Sequence, residues 1–195
     1  MSNIAIVILA AGSSKRMGQP KQKLNIGGKT FLQNAIDVAS LTSCSVVLVV
    51  VQSLEAADAF KIPTNVRLLV NADYAAGMAT SIKVAVNVLE SYENIDALMI
   101  MNCDQPRIST PDLQQLIDVY KPGCIVASTF GGTIGSPALF DRRFFPELQL
   151  LQGDRGAKSV ILQNKSRLIE VSMPGAQVDV DTREDYEALF PQILE

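Results

Sequence analysis

Five short runs of apolar residues, most of them β-branched, divide the chain into regular segments. Each run is nearly continuous instead of alternating with polar residues, which is typical of strands covered on both faces. The runs are Ile4–Leu9, Val46–Val51, Val66–Val70, Ala97–Met101 and Cys124–Ala127. Because buried strands of this kind usually pair in parallel, we expect a mostly parallel central sheet.

Segments with the apolar spacing of a helix separate these runs. They are Phe31–Leu41, Ser53–Phe60, Ala79–Leu89 and Thr110–Tyr120. Thr30 is the expected N-cap of the first helix, and Ser109 or Thr110 that of the last, with Pro111 in its first turn. The repeated β-α order predicts an α/β fold with helices flanking the sheet. No linker divides the 195 residues, so we expect one domain over residues 1–195.

The regular order weakens beyond residue 128. A glycine-rich stretch over residues 130–137 is expected to be a loop. The remaining pattern predicts short helices at 142–150 and 157–162, strands at 167–171 and 177–180, and a helix at 182–189.

The charge balance limits the kind of partner. Seventeen Lys and Arg stand against 20 Asp and Glu, a net charge of −3, so the broad basic surface of a nucleic-acid-binding protein is not expected. The first apolar run lacks a basic leader and is far shorter than a membrane span of about 20 residues. We therefore expect a cytoplasmic protein that acts on small molecules, with neither a nucleic acid nor a membrane as partner.

The chain has no histidine and three cysteines, Cys44, Cys103 and Cys124. Their odd number and wide separation argue against a disulfide framework, and the lack of histidine argues against a zinc site. We expect these thiols to be reduced and mostly buried. Without histidine, catalysis must rest on carboxylates, cations and hard metal ions.

The loop after the first strand combines small residues with positive charge. Residues 10–24, here named the signature loop, read Ala-Ala-Gly-Ser-Ser-Lys-Arg-Met-Gly-Gln-Pro-Lys-Gln-Lys-Leu. Gly12 allows main-chain N–H groups to approach an anion, and Arg16, Lys21 and Lys23 supply positive charge. The pattern indicates a site that binds phosphate.

Two better-known glycine motifs do not fit this region. Gly12 and Gly18 lack the spacing of the G-x-G-x-x-G dinucleotide fingerprint. A Walker loop ending at residues 28–30 would need glycine where Lys23 stands. Gly27 and Gly28 are instead expected to form a turn.

Acidic residues follow the later strands. Asp104 comes directly after the fourth apolar run and is suited either to hold a divalent cation or to cap a turn. Asp179 and Asp181 lie two residues apart, which places both carboxylates on one face of an extended segment. Asp181 is also an expected N-cap for the next helix, with Glu184 completing a capping box. Asp104 with one of this pair would form an oxygen-only Mg²⁺ or Mn²⁺ site.

Two further turns carry candidate ligand groups. In residues 153–158, Arg155 or Lys158 would meet a second phosphate, or the turn simply starts a helix in solvent. In residues 71–81, Gly77 and Ser81 would contact a base or ribose, or the hydroxyls there would only cap a helix.

These motifs together resemble the MobA-like nucleotidyltransferases, and most closely the molybdenum cofactor cytidylyltransferase branch. The resemblance covers essentially the whole chain and rests on six motifs in the same order. They are Leu9–Lys21, Gly77-Met78 with Ser81, Cys103–Pro106, Gly135-x-Pro137 with Leu139-Phe140, Gly153–Ala157, and Asp179–Thr182 followed by Glu184-Asp185-Tyr186.

The resemblance implies a Rossmann-like nucleotidyltransferase fold and transfer of a nucleoside monophosphate from a nucleoside triphosphate to a phosphorylated acceptor, with Mg²⁺ or Mn²⁺ and release of pyrophosphate. Arg16, Lys21 and Asp104 would be the catalytic residues, and Asp104 with Asp181 would hold the metal. The nucleotide would be bound by Leu9, Ala10, Ala11, Gly12, Gly77, Met78 and Ser81. Ala11, where guanylyl-transferring relatives carry glycine, favours CTP. Molybdopterin is the acceptor that the resemblance implies.

Departures from the family pattern surround the expected acceptor pocket. Gly135-Ser136-Pro137 stands in place of Gly-His-Pro, the segment 130–134 lacks the usual aromatic and basic residues, and Lys23 replaces leucine. Two alternatives therefore remain open. One is a nucleotidyltransferase for a sugar phosphate, polyol phosphate or other acceptor. The other is a non-catalytic protein that binds a nucleotide or molybdopterin and delivers it to a molybdoenzyme. The joint presence of Arg16, Lys21, Asp104 and Asp181 argues against the latter, because binding alone would not require the full set.

Overall fold

A seven-stranded sheet runs through the protein and is covered by helices on both faces. The computed structural model describes residues 2–12, 14, 16–57 and 60–190. The strands are β1 (Ile4–Leu9), β2 (Asn25–Ile26), β3 (Lys29–Thr30), β4 (Val46–Val51), β5 (Val66–Val70), β6 (Ala97–Asn102), β7 (Ile125–Phe130), β8 (Thr133–Asp141) and β9 (Leu168–Ser172). The helices are α1 (Phe31–Ser40), α2 (Met78–Glu90), α3 (Thr110–Asp118), α4 (Phe145–Gln149), α5 (Lys158–Gln163) and α6 (Arg183–Leu189).

The strand order is β5-β4-β1-β6-β8-β7-β9. Only β8 runs against its neighbours β6 and β7, whereas the other pairs in this sheet are parallel. The prediction of an α/β fold with a mostly parallel central sheet is confirmed. Strands β2 and β3 form a separate small hairpin around the predicted turn at Gly27 and Gly28.

Alternate residues of the central strands face two separate apolar layers. Ile4, Ile6 and Ile8 of β1 pack under α1 and α3, whereas Ala5 and Val7 pack under α2, α4 and α5. This two-sided burial explains why β1 is apolar at every position. Cys103 is buried, whereas Cys44 and Cys124 are only partly buried, and all three are free of disulfides. No helix among the described residues is long and apolar enough to cross a bilayer.

A third, smaller group of apolar side chains joins the signature loop to the last helix. Met17, Leu24, Phe31 and Val180 are buried together, and Tyr186 and Phe190 pack against them. These six residues are named the loop cluster. The ring centroids of Phe31 and Tyr186 are 6.0 Å apart, and those of Phe31 and Phe190 are 6.2 Å apart.

The expectation of a loop over residues 130–137 was wrong. Gly131 and Gly132 have φ values of 52° and 75° and close a two-residue turn, after which β8 begins at Thr133. Consecutive positive φ values give the turn that joins antiparallel strands most tightly, so this glycine pair forms a hairpin and not a loose connection.

Two other predicted elements were also wrong. Over the described part of residues 53–60 the chain forms turns: the Ala57 N–H donates to Leu54 O and the Phe60 N–H to Ala57 O, which are i to i+3 bonds and not the i to i+4 bonds of an α-helix. Residues 174–177 form a 3₁₀ turn instead of a strand start, and residues 178–181 pair with no strand.

Helix caps agree with the sequence at two sites and differ at a third. Thr30 caps α1 by accepting the N–H of Gln33, and Ser109 caps α3 with Asp112 in a capping box. At α6 the N-cap is Thr182 and the capping-box partner is Asp185, not Asp181 with Glu184. The side chain of Asp181 is engaged elsewhere, as described below.

Asp141 ties the end of β8 to the turn before β7. Its carboxylate accepts hydrogen bonds from the Gly123 N–H at 2.6 Å, the Tyr120 hydroxyl at 2.7 Å and the Arg143 N–H at 3.0 Å. Burial alone would raise the pKa of Asp141, but these hydrogen bonds outweigh it and the pKa is lowered.

Asp141→Asn is expected to lower the free energy of unfolding by about 2 kcal/mol at pH 7, because an amide nitrogen cannot accept from these donors. Because the pKa of Asp141 is lower in the folded protein than its ordinary value of 3.8, its ionised form stabilises the fold at pH values above 3.8. This stabilisation is lost as the pH falls through the pKa of the folded state. The difference between wild type and variant should therefore shrink between pH 5 and pH 3 in urea unfolding. The exposed Glu93, as Glu93→Gln, is the control; an equal loss in both variants would contradict the assignment.

Candidate functional site

The site lies at the carboxyl edge of the sheet, where the loops after β1, β4 and β6 leave together. The strand ladder continues one step into two of these loops: the Ala10 N–H donates to Val50 O at 2.9 Å, and the Cys103 N–H donates to Leu9 O at 3.3 Å. The residues that follow β1 and β6 are therefore held side by side. In open α/β sheets this edge is where ligands bind.

Four charged side chains meet at this edge and are here named the charged cluster: Arg16, Lys21, Asp104 and Asp181. The Lys21 ammonium lies 2.9 Å from Asp104 Oδ2 and also contacts Asp181 Oδ1. Arg16 Nη2 lies 2.9 Å from Asp181 Oδ2. The side chains of Lys21 and Asp104 are only 14% and 20% exposed, whereas that of Arg16 is 71% exposed. Lys21 is thus the enclosed centre of the cluster.

The contacts keep the cluster charged. Burial would lower the pKa of Lys21, but attraction from Asp104 and hydrogen bonds to Asp104 and Asp181 outweigh it, so the pKa is raised. Burial would raise the pKa of Asp181, but the hydrogen bond from Lys21 and the attraction of Lys21 and Arg16 lower it. Lys21 therefore stays protonated and Asp181 stays ionised at neutral pH.

Main-chain contacts hold the signature loop in place. The Lys21 N–H donates to Ser14 Oγ at 3.0 Å. Gln52, which follows β4, donates through Nε2 to Ala11 O at 3.2 Å and Gly12 O at 3.1 Å. The sequence reasoning did not find Gln52. Its position directly after a buried strand was the available signal.

The donor set of Asp104 and Asp181 fits a hard divalent cation. Both carboxylates reach one ammonium group, so both can reach a single cation, and carboxylate oxygens are the ligands that Mg²⁺ and Mn²⁺ prefer. Among the described residues no group of three or more His, Cys, Asp or Glu is arranged to hold a metal ion. A cation at this place would therefore take its remaining ligands from water and from substrate phosphates.

Asp179 lies beside the charged cluster with its side chain facing a cleft. The residue is exposed to solvent, yet protein packed nearby desolvates its carboxylate, and this effect together with repulsion from Asp104 and Asp181 raises the pKa of Asp179 to about 6. The sequence predicts that Asp179 and Asp181 share one face, but in the structure they have different surroundings: Asp181 pairs with two cations and Asp179 faces the cleft.

This cleft opens into a cavity of about 360 Å³ next to the charged cluster. Asp179, Gln105 and Asn102 form its polar side, and its other walls are mostly apolar. Those walls come from the end of β1, the start of α2, the β7–β8 hairpin and the start of α5. The volume is in the range of small-molecule sites.

The structure distributes the expected nucleotide-binding residues around this edge. Leu9 and Met78 line the cavity, Ala10 and Ala11 are buried at the start of the signature loop, and Gly12 is exposed. Ser81 is 6% exposed and is not among the lining residues. Its hydroxyl accepts a hydrogen bond from Asn71 Nδ2 at 2.8 Å. The role of these residues stays a prediction.

Asn71 is a second residue that sequence reasoning missed. It is 2% exposed, and its Nδ2 donates both to Ser81 Oγ and to Thr80 Oγ1, each at 2.8 Å. Its Oδ1 accepts the Asp73 N–H at 3.0 Å. Asn71 therefore fixes the turn before α2 to the helix itself.

The two glycine turns named in the sequence contact each other. The Ala79 N–H donates to Gly153 O at 3.0 Å, so the turn at 153–157 supplies the cap of α2. Gly77 has a φ of 109°, and a Cβ there would overlap the Gly153 carbonyl. Asp154 and Arg155 are exposed, and Lys158 donates to Thr133 Oγ1 at 2.7 Å.

Comparison with known proteins agrees with this arrangement. The sequence model of the MobA-like NTP transferase domain matches residues 6–168. The chain belongs to the MobA-like NTP transferase family. Membership in this family makes the protein a nucleotidyltransferase, as the resemblance implied, and confirms the Rossmann-like fold expected from the motifs.

Two curated relatives of this MobA-like protein match over nearly their whole length. The purine catabolism protein PucB of Bacillus subtilis (strain 168) is 30% identical over 192 residues, which is 93% of each chain. The molybdenum cofactor cytidylyltransferase of Escherichia coli (strain K12) is 26% identical over 188 residues, which is 95% of each chain.

A solved structure with the same fold is Rv0371c from Mycobacterium tuberculosis H37Rv. It is 29% identical, with a TM-score of 0.83, and the match covers 98% of this chain and 99% of that one. The structure of Rv0371c in complex with manganese matches with 27% identity and a TM-score of 0.80, over 98% and 100% of the two chains.

Gly77→Ala is expected to lower the free energy of unfolding by about 3 kcal/mol, because alanine is strained at this φ and its Cβ would displace the 153–157 turn. Chemical denaturation measures the loss. The matched control is Gly156→Ala in the opposing turn, where a Cβ meets only the flexible end of Met78. Equal losses at the two positions would show that the contact between Gly77 and Gly153 is not the cause.

Proposed function

We propose that the protein is a cytidylyltransferase that depends on a divalent cation and transfers CMP from CTP to the phosphate of molybdopterin, with release of pyrophosphate. The observation that carries the proposal is the charged cluster at the carboxyl edge of the sheet, directly beside a mostly apolar cavity. The charged cluster would bind the triphosphate of CTP, and the cavity would bind the part of the acceptor that carries no phosphate.

The residues of the cluster suit in-line attack of an acceptor phosphate on the α-phosphorus of CTP. Such a reaction requires alignment of two anions and neutralisation of their charge, not a histidine base. In the proposed reaction Lys21 and Arg16 exchange their carboxylate partners for phosphate oxygens. Lys21 would hold the developing charge from an enclosed position, where electrostatic stabilisation is strongest.

Asp104 and Asp181 are the proposed holders of a divalent cation. Bound there, Mg²⁺ or Mn²⁺ would neutralise phosphate charge. The solved complex of Rv0371c with manganese supports a divalent cation in this fold. In this chain Lys21 sits between the two carboxylates, so its move toward phosphate would free the oxygens for metal.

The relatives and the cavity support the choice of substrates. The Escherichia coli relative is a molybdenum cofactor cytidylyltransferase, and Ala11 stands where guanylyl-transferring relatives carry glycine. The cavity walls are mostly apolar, which favours an acceptor with a flat ring face to pack against them over a sugar or polyol phosphate, which carries hydroxyls on every side.

One observation keeps a different acceptor as the second candidate. Ser136 replaces the histidine usual at this position, and its Oγ donates to Ile100 O at 3.1 Å. The hydroxyl is therefore engaged with the main chain of β6. A related phosphorylated molecule that makes no hydrogen bond at this wall would fit the same cavity.

Pyrophosphate release tests the proposal. Purified protein with Mg²⁺ is given CTP, GTP, ATP or UTP, each with and without molybdopterin. The expected result is release with CTP only when molybdopterin is present. CTP binding without release would favour the second acceptor class or the non-catalytic alternative, and a panel of sugar and polyol phosphates would separate these two.

Lys21→Gln is expected to lower kcat/KM for CTP by about 10²-fold, the usual loss when an enclosed group that stabilises transition-state charge is removed. The matched control is Lys23→Gln in the same turn, since Lys23 is exposed. Steady-state pyrophosphate release measures both. Similar losses in the two variants would show that general positive charge, and not the position of Lys21, is what matters.

The same substitution also tests whether Asp104 and Asp181 hold the metal ion. Without the ammonium between Asp104 and Asp181, the free Lys21→Gln protein should bind Mn²⁺ at least about tenfold more tightly than wild type, because a competing cation is gone. Electron paramagnetic resonance of free Mn²⁺ measures this without any turnover. Weaker Mn²⁺ binding in the variant would contradict the assignment of these carboxylates to the metal.

A further inference from the structure

Asp185 makes one hydrogen bond more than a helix cap requires. Its Oδ2 accepts the N–H of Thr182 at 2.8 Å, and its own N–H donates to Thr182 Oγ1 at 3.2 Å, which completes the capping box of α6. The same Oδ2 also accepts the N–H of Asp181 at 3.0 Å. Asp181 is the residue whose carboxylate binds both Lys21 and Arg16.

The other capping box of the chain shows what a cap alone looks like. In α3 the Asp112 carboxylate accepts the N–H of Ser109 at 2.9 Å and its hydroxyl at 2.6 Å. The preceding residue, Ile108, donates its N–H to Gln105 O instead. The additional bond to the residue before the N-cap is therefore a feature of Asp185 and not of capping boxes in general.

The main chain around Asp181 is fixed from both sides. The Val180 N–H donates to Asp104 O at 3.2 Å, and the Val180 side chain is buried in the loop cluster. After these contacts come the two N–H groups held by Asp185. Three consecutive main-chain donors, those of residues 180–182, are thus bound at fixed points.

Helix α6 itself is fastened to the segment that follows the signature loop, and through the loop cluster to Met17 and Leu24 within that loop. The Tyr186 hydroxyl donates to Asn25 O at 2.8 Å, and the Tyr186 ring packs against Phe31 in the loop cluster. Asp185 stands next to Tyr186. The Asp185 carboxylate is therefore held at a fixed distance from the signature loop. Because it also binds the Asp181 N–H, it fixes the position of Asp181 relative to that loop.

We propose that Asp185 is a positioning residue for the transfer reaction: by holding the main-chain N–H of Asp181, it directs the Asp181 carboxylate toward Lys21 and the metal position. This inference rests on the proposed function. Asp185 itself touches neither Lys21 nor Asp104 among the contacts of the described residues, so it acts through Asp181. Removal of a group that orients a metal ligand in this way typically weakens metal binding by about 10- to 100-fold.

The test compares Asp185→Ala with Asp112→Ala, which removes the matched cap of α3. Both variants should lose a similar amount of thermal stability. Only Asp185→Ala should weaken Mn²⁺ binding in the presence of CTP, by about tenfold, and lower kcat/KM by a similar factor. Asp185→Asn keeps an oxygen that accepts both N–H groups and should restore most of the affinity.

The opposite result is equally clear. If Asp185→Ala loses stability like Asp112→Ala while its Mn²⁺ affinity and kcat/KM stay within about twofold of wild type, a range too small for a displaced metal ligand, Asp185 is a cap only and the proposal is overturned. If Asp185→Ala does not fold, Asp185→Ser, whose hydroxyl serves a single N–H, takes its place with the same expected outcomes.

A crystal structure of the Asp185→Ala protein without ligands separates this inference from the proposed function. Loss of the contact between Asp181 and Lys21 supports the positioning role even if the wild-type protein binds neither Mn²⁺ nor CTP, a result that would overturn the proposed function alone. An unchanged contact between Asp181 and Lys21 overturns the positioning role and leaves the proposed function untouched.

Discussion

One enclosed ammonium joins three parts of the chain that are far apart in sequence. Lys21 binds Asp104, 83 residues later, and Asp181, 160 residues later. The sheet brings the three segments to the same edge, but the ion pairs decide how they meet there. Removing Lys21 would leave the partly buried carboxylate of Asp104 without this cation, which is more costly than the net gain from the pair itself. Each segment is therefore held in place by the other two.

The parts of the fold that could be predicted from the sequence are those in which the pattern of apolar residues shows which positions are buried. β1 is apolar at every position because it packs under helices on both faces, and this pattern identifies a parallel strand. The β7–β8 hairpin escaped prediction because its glycine pair looks like a loop until the φ angles are known. The turns after Ser53 escaped it because apolar spacing does not reveal whether the main-chain N–H groups continue the i to i+4 bonds of a helix or stop at single i to i+3 turns.

The same distinction holds for the candidate site. Cations after the first strand and Asp104 after β6 were recognisable because their charge and their place at strand ends carry the signal. Gln52, Asn71 and Asp185 were not, because each acts on main-chain or hydroxyl groups that only the fold brings near. Asp181 and Thr182 are both good N-cap residues in sequence; Thr182 takes the cap because Lys21 and Arg16 occupy the carboxylate of Asp181.

The place of the last helix in the chain also orders events during synthesis. The final strand of the sheet, β9, ends at Ser172, whereas Asp179, Asp181 and the loop-cluster residues Val180, Tyr186 and Phe190 come later. A ribosome therefore makes every strand of the sheet before it makes the residues that close the charged cluster. A nascent chain that has assembled its sheet would still lack one carboxylate of the pair and the support behind the signature loop.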